Sequence, residues 1–66
     1  MLGKPVIRGT RIPVELIVRR IGQGMTIDEM RQEYPRLTLE DIYAALLYAA
    51  AVVANEDVFP MFIEPA

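Results

Sequence analysis

The stretch Leu37-Thr38-Leu39-Glu40-Asp41-Ile42-Tyr43-Ala44-Ala45-Leu46-Leu47-Tyr48-Ala49-Ala50-Ala51-Val52-Val53-Ala54 contains no Gly or Pro and is rich in Ala and Leu, strong helix formers. Its start is marked twice. Thr38 followed three residues later by Asp41 has the spacing of a capping box, with Asp in place of the usual Glu, and Leu37 and Ile42 stand where a hydrophobic staple belongs. The reading is a helix over about 38–54. Leu39, Ile42, Tyr43, Leu46, Ala50 and Val53 form one apolar stripe, yet Leu47, Tyr48, Ala51 and Val52 make much of the remaining surface apolar too. A helix apolar nearly all round is a buried helix.

Moving toward the N-terminus, Thr26-Ile27-Asp28-Glu29 repeats the capping pattern, with Met25 and Met30 as its staple. A second helix over about 26–34 follows, with Ile27, Met30 and Tyr34 on one face. Pro35 stops it by pushing Tyr34 out of the helical region. Before that, Pro13 suits the first turn of a helix, and Val14, Ile17, Val18 and Ile21 recur at helical spacing until Gly22-Gln23-Gly24. This predicts a helix over about 13–22. The two shorter helices cannot enclose the third, so its far half and second face call for another chain; Leu47, Tyr48, Ala51 and Val52 are the expected partner or dimer interface. The fold class expected is all-α: a three-helix helix-turn-helix bundle, homeodomain-like or winged-helix-like, with a short N-terminal β-hairpin.

That hairpin is read from residues 4–12. Val6-Ile7 and Arg11-Ile12 would be strands around a Gly9-Thr10 turn, with Gly9 in the first central position of a type II′ turn. An irregular arm held by Val6 and Ile7 is the competing reading. At the other end, residues 55–66 form an apolar and acidic tail carrying Val58, Phe59, Met61, Phe62 and Ile63 together with two prolines. Either it folds back over the third helix, or Phe59, Met61, Phe62 and Ile63 extend onto a partner as a recognition segment.

A chain of 66 residues makes one domain, 1–54, with this tail. A domain of that size buries only about 60% of its unfolded surface and usually borrows stability from a disulfide, a metal or a partner. With no Cys and no His the first two are not expected, which leaves oligomerisation or a second protein. No apolar run reaches the roughly 18 residues of a membrane span, and no secretion signal is read at the N-terminus, so a cytoplasmic protein is expected. The net charge of −2 is unevenly spread. Residues 1–36 hold seven basic against four acidic side chains, whereas residues 37–66 hold five acidic and no basic ones. Two different partner surfaces would explain the split.

The same composition removes the usual general base and the thiolate nucleophile. The neighbouring carboxylates Asp28/Glu29 and Glu40/Asp41 sit in first helical turns, where capping and the helix dipole account for them. The expectation is a protein that is not an enzyme and takes no cofactor. Nucleic-acid binding is the stronger alternative, because helices two and three have helix-turn-helix lengths. Glu40 and Asp41 disfavour base reading by the third helix. Lys4, Arg8, Arg11, Arg19, Arg20 and Arg36, with Thr38, are the candidate phosphate contacts, and a dimer would double the patch.

The run Gly3-Lys4-Pro5-Val6-Ile7-Arg8-Gly9-Thr10-Arg11-Ile12-Pro13-Val14, followed by Gly24-Met25-Thr26, Glu33-Tyr34-Pro35 and Leu37-Thr38-Leu39-Glu40-Asp41-Ile42, resembles a bacterial family known as domain of unknown function 433. The resemblance spans about residues 3–54. The shared string begins two residues from the N-terminus, which reads as a chain without a preceding segment. Members of that family are similar to helix-turn-helix proteins, and many look like the antitoxin half of a VapB/VapC-type pair encoded beside a PIN-like ribonuclease. The resemblance therefore implies an antitoxin that forms a homodimer and neutralises such a toxin. It would contact its own operator DNA through the helical part and dock on the toxin through the C-terminal part. A stand-alone DNA-binding regulator is the alternative, and a structural interaction module the third reading.

Overall fold

A computed structural model describes residues 4–55 and the backbone of residues 63–65. In chain order these form β1 (Pro5–Ile7), α1 (Val14–Gly22), α2 (Ile27–Glu33), α3 (Leu39–Ala54) and β2 (Ile63–Pro65). The protein is mostly helical, with three helices around one core.

The helix starts follow from the capping chemistry. The Thr26 hydroxyl accepts from the Glu29 N–H at 3.1 Å while the Glu29 carboxylate accepts from the Thr26 N–H at 2.8 Å. Thr38 and Asp41 repeat this at 3.1 and 3.0 Å. Both reciprocal boxes satisfy backbone donors that a helix start would otherwise leave open. Pro13 stands one position earlier than expected, as the N-cap of α1, with extended ψ of 143°. Its carbonyl accepts from the Leu16 and Ile17 N–H groups, and its own missing donor lies outside the helix, where nothing requires it.

The end of α1 is a Schellman motif. The Met25 N–H donates to the Arg20 carbonyl at 3.1 Å and the Gly24 N–H to the Ile21 carbonyl at 3.0 Å, with Gly24 at φ +102°. Of the two glycines there, Gly24 therefore carries the conformational requirement. The motif turns the chain toward α2, and Met25 packs against the core as it leaves.

Seven residues close the core: Ile7 from β1, Val14 and Ile17 from α1, Met30 from α2, Leu37 from the turn, and Ile42 and Ala45 from α3. The small Ala45 is fully buried, which lets neighbouring backbones approach α3 closely. The stripe read from the sequence is largely not the side of α3 that meets this core. Asp41, Ile42 and Ala45 are buried, whereas Leu39, Tyr43, Ala50 and Val53 of that stripe are exposed. Of that stripe only Ile42 is fully buried, with Leu46 half-buried beside it.

The N-terminal strand pairs differently from the expected hairpin. β1 is antiparallel to β2, with Pro5 opposite Pro65, Val6 opposite Glu64 and Ile7 opposite Ile63. Residues 11–12 are not a strand. They are nonetheless drawn toward β1: the Ile7 N–H donates to the Ile12 carbonyl at 2.9 Å, and Val6 bridges to Pro13. Pro13 has no N–H with which to continue that ladder, so a fuller pairing must come from elsewhere in the chain. The intervening turn is closed by the Thr10 N–H on the Ile7 carbonyl at 3.0 Å, which puts Gly9, at φ +80°, in the second central position rather than the first. That is the type II requirement and not the type II′ one. The Thr10 hydroxyl secures it, donating to the Ile7 carbonyl and accepting from the Ile12 N–H.

Candidate functional site

The basic residues fall into two groups. Arg19 pairs with Glu15 one turn earlier on α1. Arg20 reaches across to Glu33 of α2 at 3.3 Å. Arg36, in the turn before α3, donates to the Gly9 carbonyl at 3.0 Å. Lys4, Arg8 and Arg11 are exposed and make no ion pair or side-chain hydrogen bond among the described residues. The expected single patch is therefore divided: Arg19 and Arg20 are tied to carboxylates, while the Arg36 bond seats the turn containing Arg8 beside the approach to α3. Thr38 is spent on the capping box, its hydroxyl accepting from the Asp41 N–H. The Arg19 pair also has an electrostatic signature. The hydrogen bond from Arg19, reinforced by its charge, holds the Glu15 carboxyl below the usual glutamate range.

Apolar surface is the larger feature, and it lies on two sides of α3. The outer side carries Leu39, Tyr43, Leu47, Ala50, Val53 and Ala54, all exposed, with Leu47 at 70% and Val53 at 88%. The other side forms one wall of an apolar groove of about 410 Å³, built from Tyr48, Ala49, Val52 and Val53. Val14 and Val18 of α1 make the facing wall, Pro5 of β1 contributes to the lining, and the Glu15–Arg19 pair adds a polar margin. Of the interface residues expected from sequence, Leu47 belongs to the outer side and Tyr48 and Val52 to the groove, while Ala51 is half-buried. They do not form one patch. Phe59, Met61 and Phe62 lie outside the described residues, and for Ile63 only the backbone, on β2, is described.

Sequence reading missed the contributions of Pro5, Val14, Val18 and Ala49 to the groove. The usable signal was Val14 and Val18 at i and i+4, which put two apolar side chains on neighbouring turns. Among the described residues no three His, Cys, Asp or Glu side chains group as a metal site, and no helix is long and apolar enough to cross a membrane.

Comparison with known proteins agrees in extent with this folded part. The family described as "Protein of unknown function (DUF433)" matches residues 1–49, through most of α3. "Uncharacterized protein y4eO" of Sinorhizobium fredii (strain NBRC 101917 / NGR234) is 39% identical over 49 residues, which is 74% of this chain. The chain spans only 22% of that relative's length. No solved structure matches. On a family match that takes in β1, α1, α2 and most of α3, the chain belongs to the DUF433 family.

Proposed function

We propose that this chain is a cytoplasmic protein-binding module of the antitoxin kind, which docks on a PIN-like ribonuclease and silences it. The observation that carries this reading is the open apolar groove between α1 and the C-terminal half of α3, where Val52 remains 57% exposed. A groove of this kind is suited to an apolar segment of a second protein. The resemblance of the Gly3–Val14 and Leu37–Ile42 strings to antitoxin-like proteins supplies the class of partner. The relative of which this domain makes up less than a quarter supports a module used within larger proteins. β2 lies on β1 within the chain, so the reading rests on the groove rather than on a free tail.

Co-expression with the product of the adjacent gene, capture through a tag on one partner and an RNA-cleavage assay test the proposal. A silent complex that regains nuclease activity when this chain is removed is the expected result. Val52→Lys should weaken that complex while leaving the helical circular dichroism unchanged. Absence of any complex with an active neighbouring nuclease would sink the reading.

A second reading, operator binding, is favoured by the position of Arg36. Its bond to Gly9 draws the basic N-terminal turn toward the start of α3, where a helix-turn-helix meets DNA. In this reading Arg8 and Arg11 contact phosphates. Each contact adds about 0.9 to the slope of log affinity against log salt on duplex DNA, so replacing both with Ala should flatten that slope by about 2. A slope unchanged by the double replacement would exclude the N-terminal turn from the interface.

A further inference from the structure

We propose that the outer side of α3 is a seam for a second copy of this chain, the two α3 helices lying antiparallel about a two-fold axis near Leu46 and Leu47. The spacing supports a packed seam. Leu39, Tyr43, Leu46, Ala50 and Val53 follow one another at intervals of four, three, four and three, the alternation that keeps one stripe of a helix against a neighbouring helix. Four of these five are exposed and Leu46 packs partly against the core, so most of a stripe with packing periodicity lies open among the described residues. Glu40 is the one charged side chain on the exposed side of α3.

The distribution of side-chain size argues for a second copy as the occupant, and for its direction. The seam is bulky at its N-terminal end, with Leu39 and Tyr43, and has Ala50, flanked by Ala54, toward its C-terminal end. Antiparallel pairing sets Tyr43 of one copy over Ala50 of the other and Leu39 against Val53, so bulk meets space at both ends. Parallel pairing would crowd Tyr43 on Tyr43 and leave Ala50 facing Ala50. Antiparallel helices also place opposite dipole ends side by side, and hold the two Glu40 carboxylates roughly 20 Å apart, beyond the Debye length of about 8 Å.

The groove lies on another side of α3 and shares only Val53 with the seam, so this pairing does not depend on the ribonuclease reading. Sixteen residues give α3 a length of about 24 Å. One helix against one helix falls at the small end of specific interfaces, so a dimer that forms reversibly with concentration is expected.

Sedimentation equilibrium of the full chain from about 1 to 500 µM tests the pairing. The expected result is an average mass rising from 7.5 kDa toward twice that value. Ala50→Glu, at an exposed position, should raise the dissociation constant at least about tenfold while the circular dichroism stays unchanged. Val52→Lys, in the groove, should leave it unaltered. A chain that stays monomeric throughout overturns the proposal, as does a dimer weakened by Val52→Lys and not by Ala50→Glu. Because the chain has no Cys, direction can be read from single cysteines. Leu47→Cys should cross-link to its own copy under mild oxidation, whereas Leu39→Cys, about 21 Å from its copy in the antiparallel pair, should not. Cross-linking at Leu39→Cys as well, which parallel helices would give, overturns the antiparallel arrangement.

Discussion

The inner and outer sides of α3 are built from the same kinds of residue and meet different fates. Inside, Ile42 and Ala45 are fully buried against β1, α1, α2 and the turn before α3. Outside, Leu47 and Val53 are as apolar and remain largely in water. Scattered exposed apolar residues are normal on any protein, but a continuous row along one helix marks an interaction surface. The difference separates two placements of apolar area in a small domain: one side of α3 stabilises the fold, and the other stays exposed and is the side proposed above to meet a second copy. Mutations on the two sides should therefore separate stability from association.

The largest effect belongs to the inner side. Ile42→Ala removes three carbons from a site with no solvent exposure, where large-to-small changes cost about 2–5 kcal/mol. A domain of this length has a total stability of about 3–10 kcal/mol, so the variant should lose roughly half of it. Urea denaturation followed by circular dichroism checks this. A midpoint near that of the parent would show that Ile42 is not part of the core.

The next effect comes from the start of α3. Thr38→Ala leaves the N–H of the nearly buried Asp41 without its hydroxyl acceptor, and should cost about 1–2 kcal/mol in the same assay. Thr26→Ala removes the equivalent bond where Glu29 is exposed and water can replace it, so its cost should be nearer about 0.5 kcal/mol. Equal costs would mean that burial of the second box contributes nothing. On the outer side, Leu47→Ala should change stability by less than about 0.5 kcal/mol, since Leu47 leaves little buried surface behind. The same variant should weaken dimerisation, and that pairing of results would sharpen the contrast with Ile42.

These predictions use features of unequal legibility in the sequence. Both capping boxes could be read in advance because all their partners lie within three residues, and each helix begins within one residue of its expected start. Met25, Met30, Leu37 and Ile42 were equally legible as staples; the last three are in the core and Met25 packs against it. What escaped was set by distant pairing or by choice among equivalent sides. β1 takes its partner from residues 63–65, a pairing that no local turn pattern announces. Because α3 is apolar almost all round, periodicity could not say which side meets the core. The side with the small Ala45 and the capped Asp41 is the one that turns inward. The basic residues were grouped by sign alone, and Glu15 and Glu33 divide them.

The smallest expected effect concerns acid. The backbone N–H of Thr26, followed by the further hydrogen bonding within the Thr26 box, holds the Glu29 carboxyl below the ordinary glutamate value of 4.5. A carboxylate whose folded value is depressed binds its proton more weakly in the native state than in the unfolded chain. Its contribution to stability is therefore complete above about pH 4.5 and is lost as pH falls through the lowered value. Glu15, held down by Arg19, acts in the same direction and the same range. Both groups are exposed, so the slope they produce should be shallow. Glu29→Gln keeps an acceptor for the Thr26 N–H but has no charge to lose. In urea titrations between about pH 6 and 3, the parent should lose stability more steeply than this variant. Identical slopes would mean that Thr26 holds Glu29 equally well protonated or charged, and that the start of α2, like the apolar sides of α3, has no electrostatic part in stability.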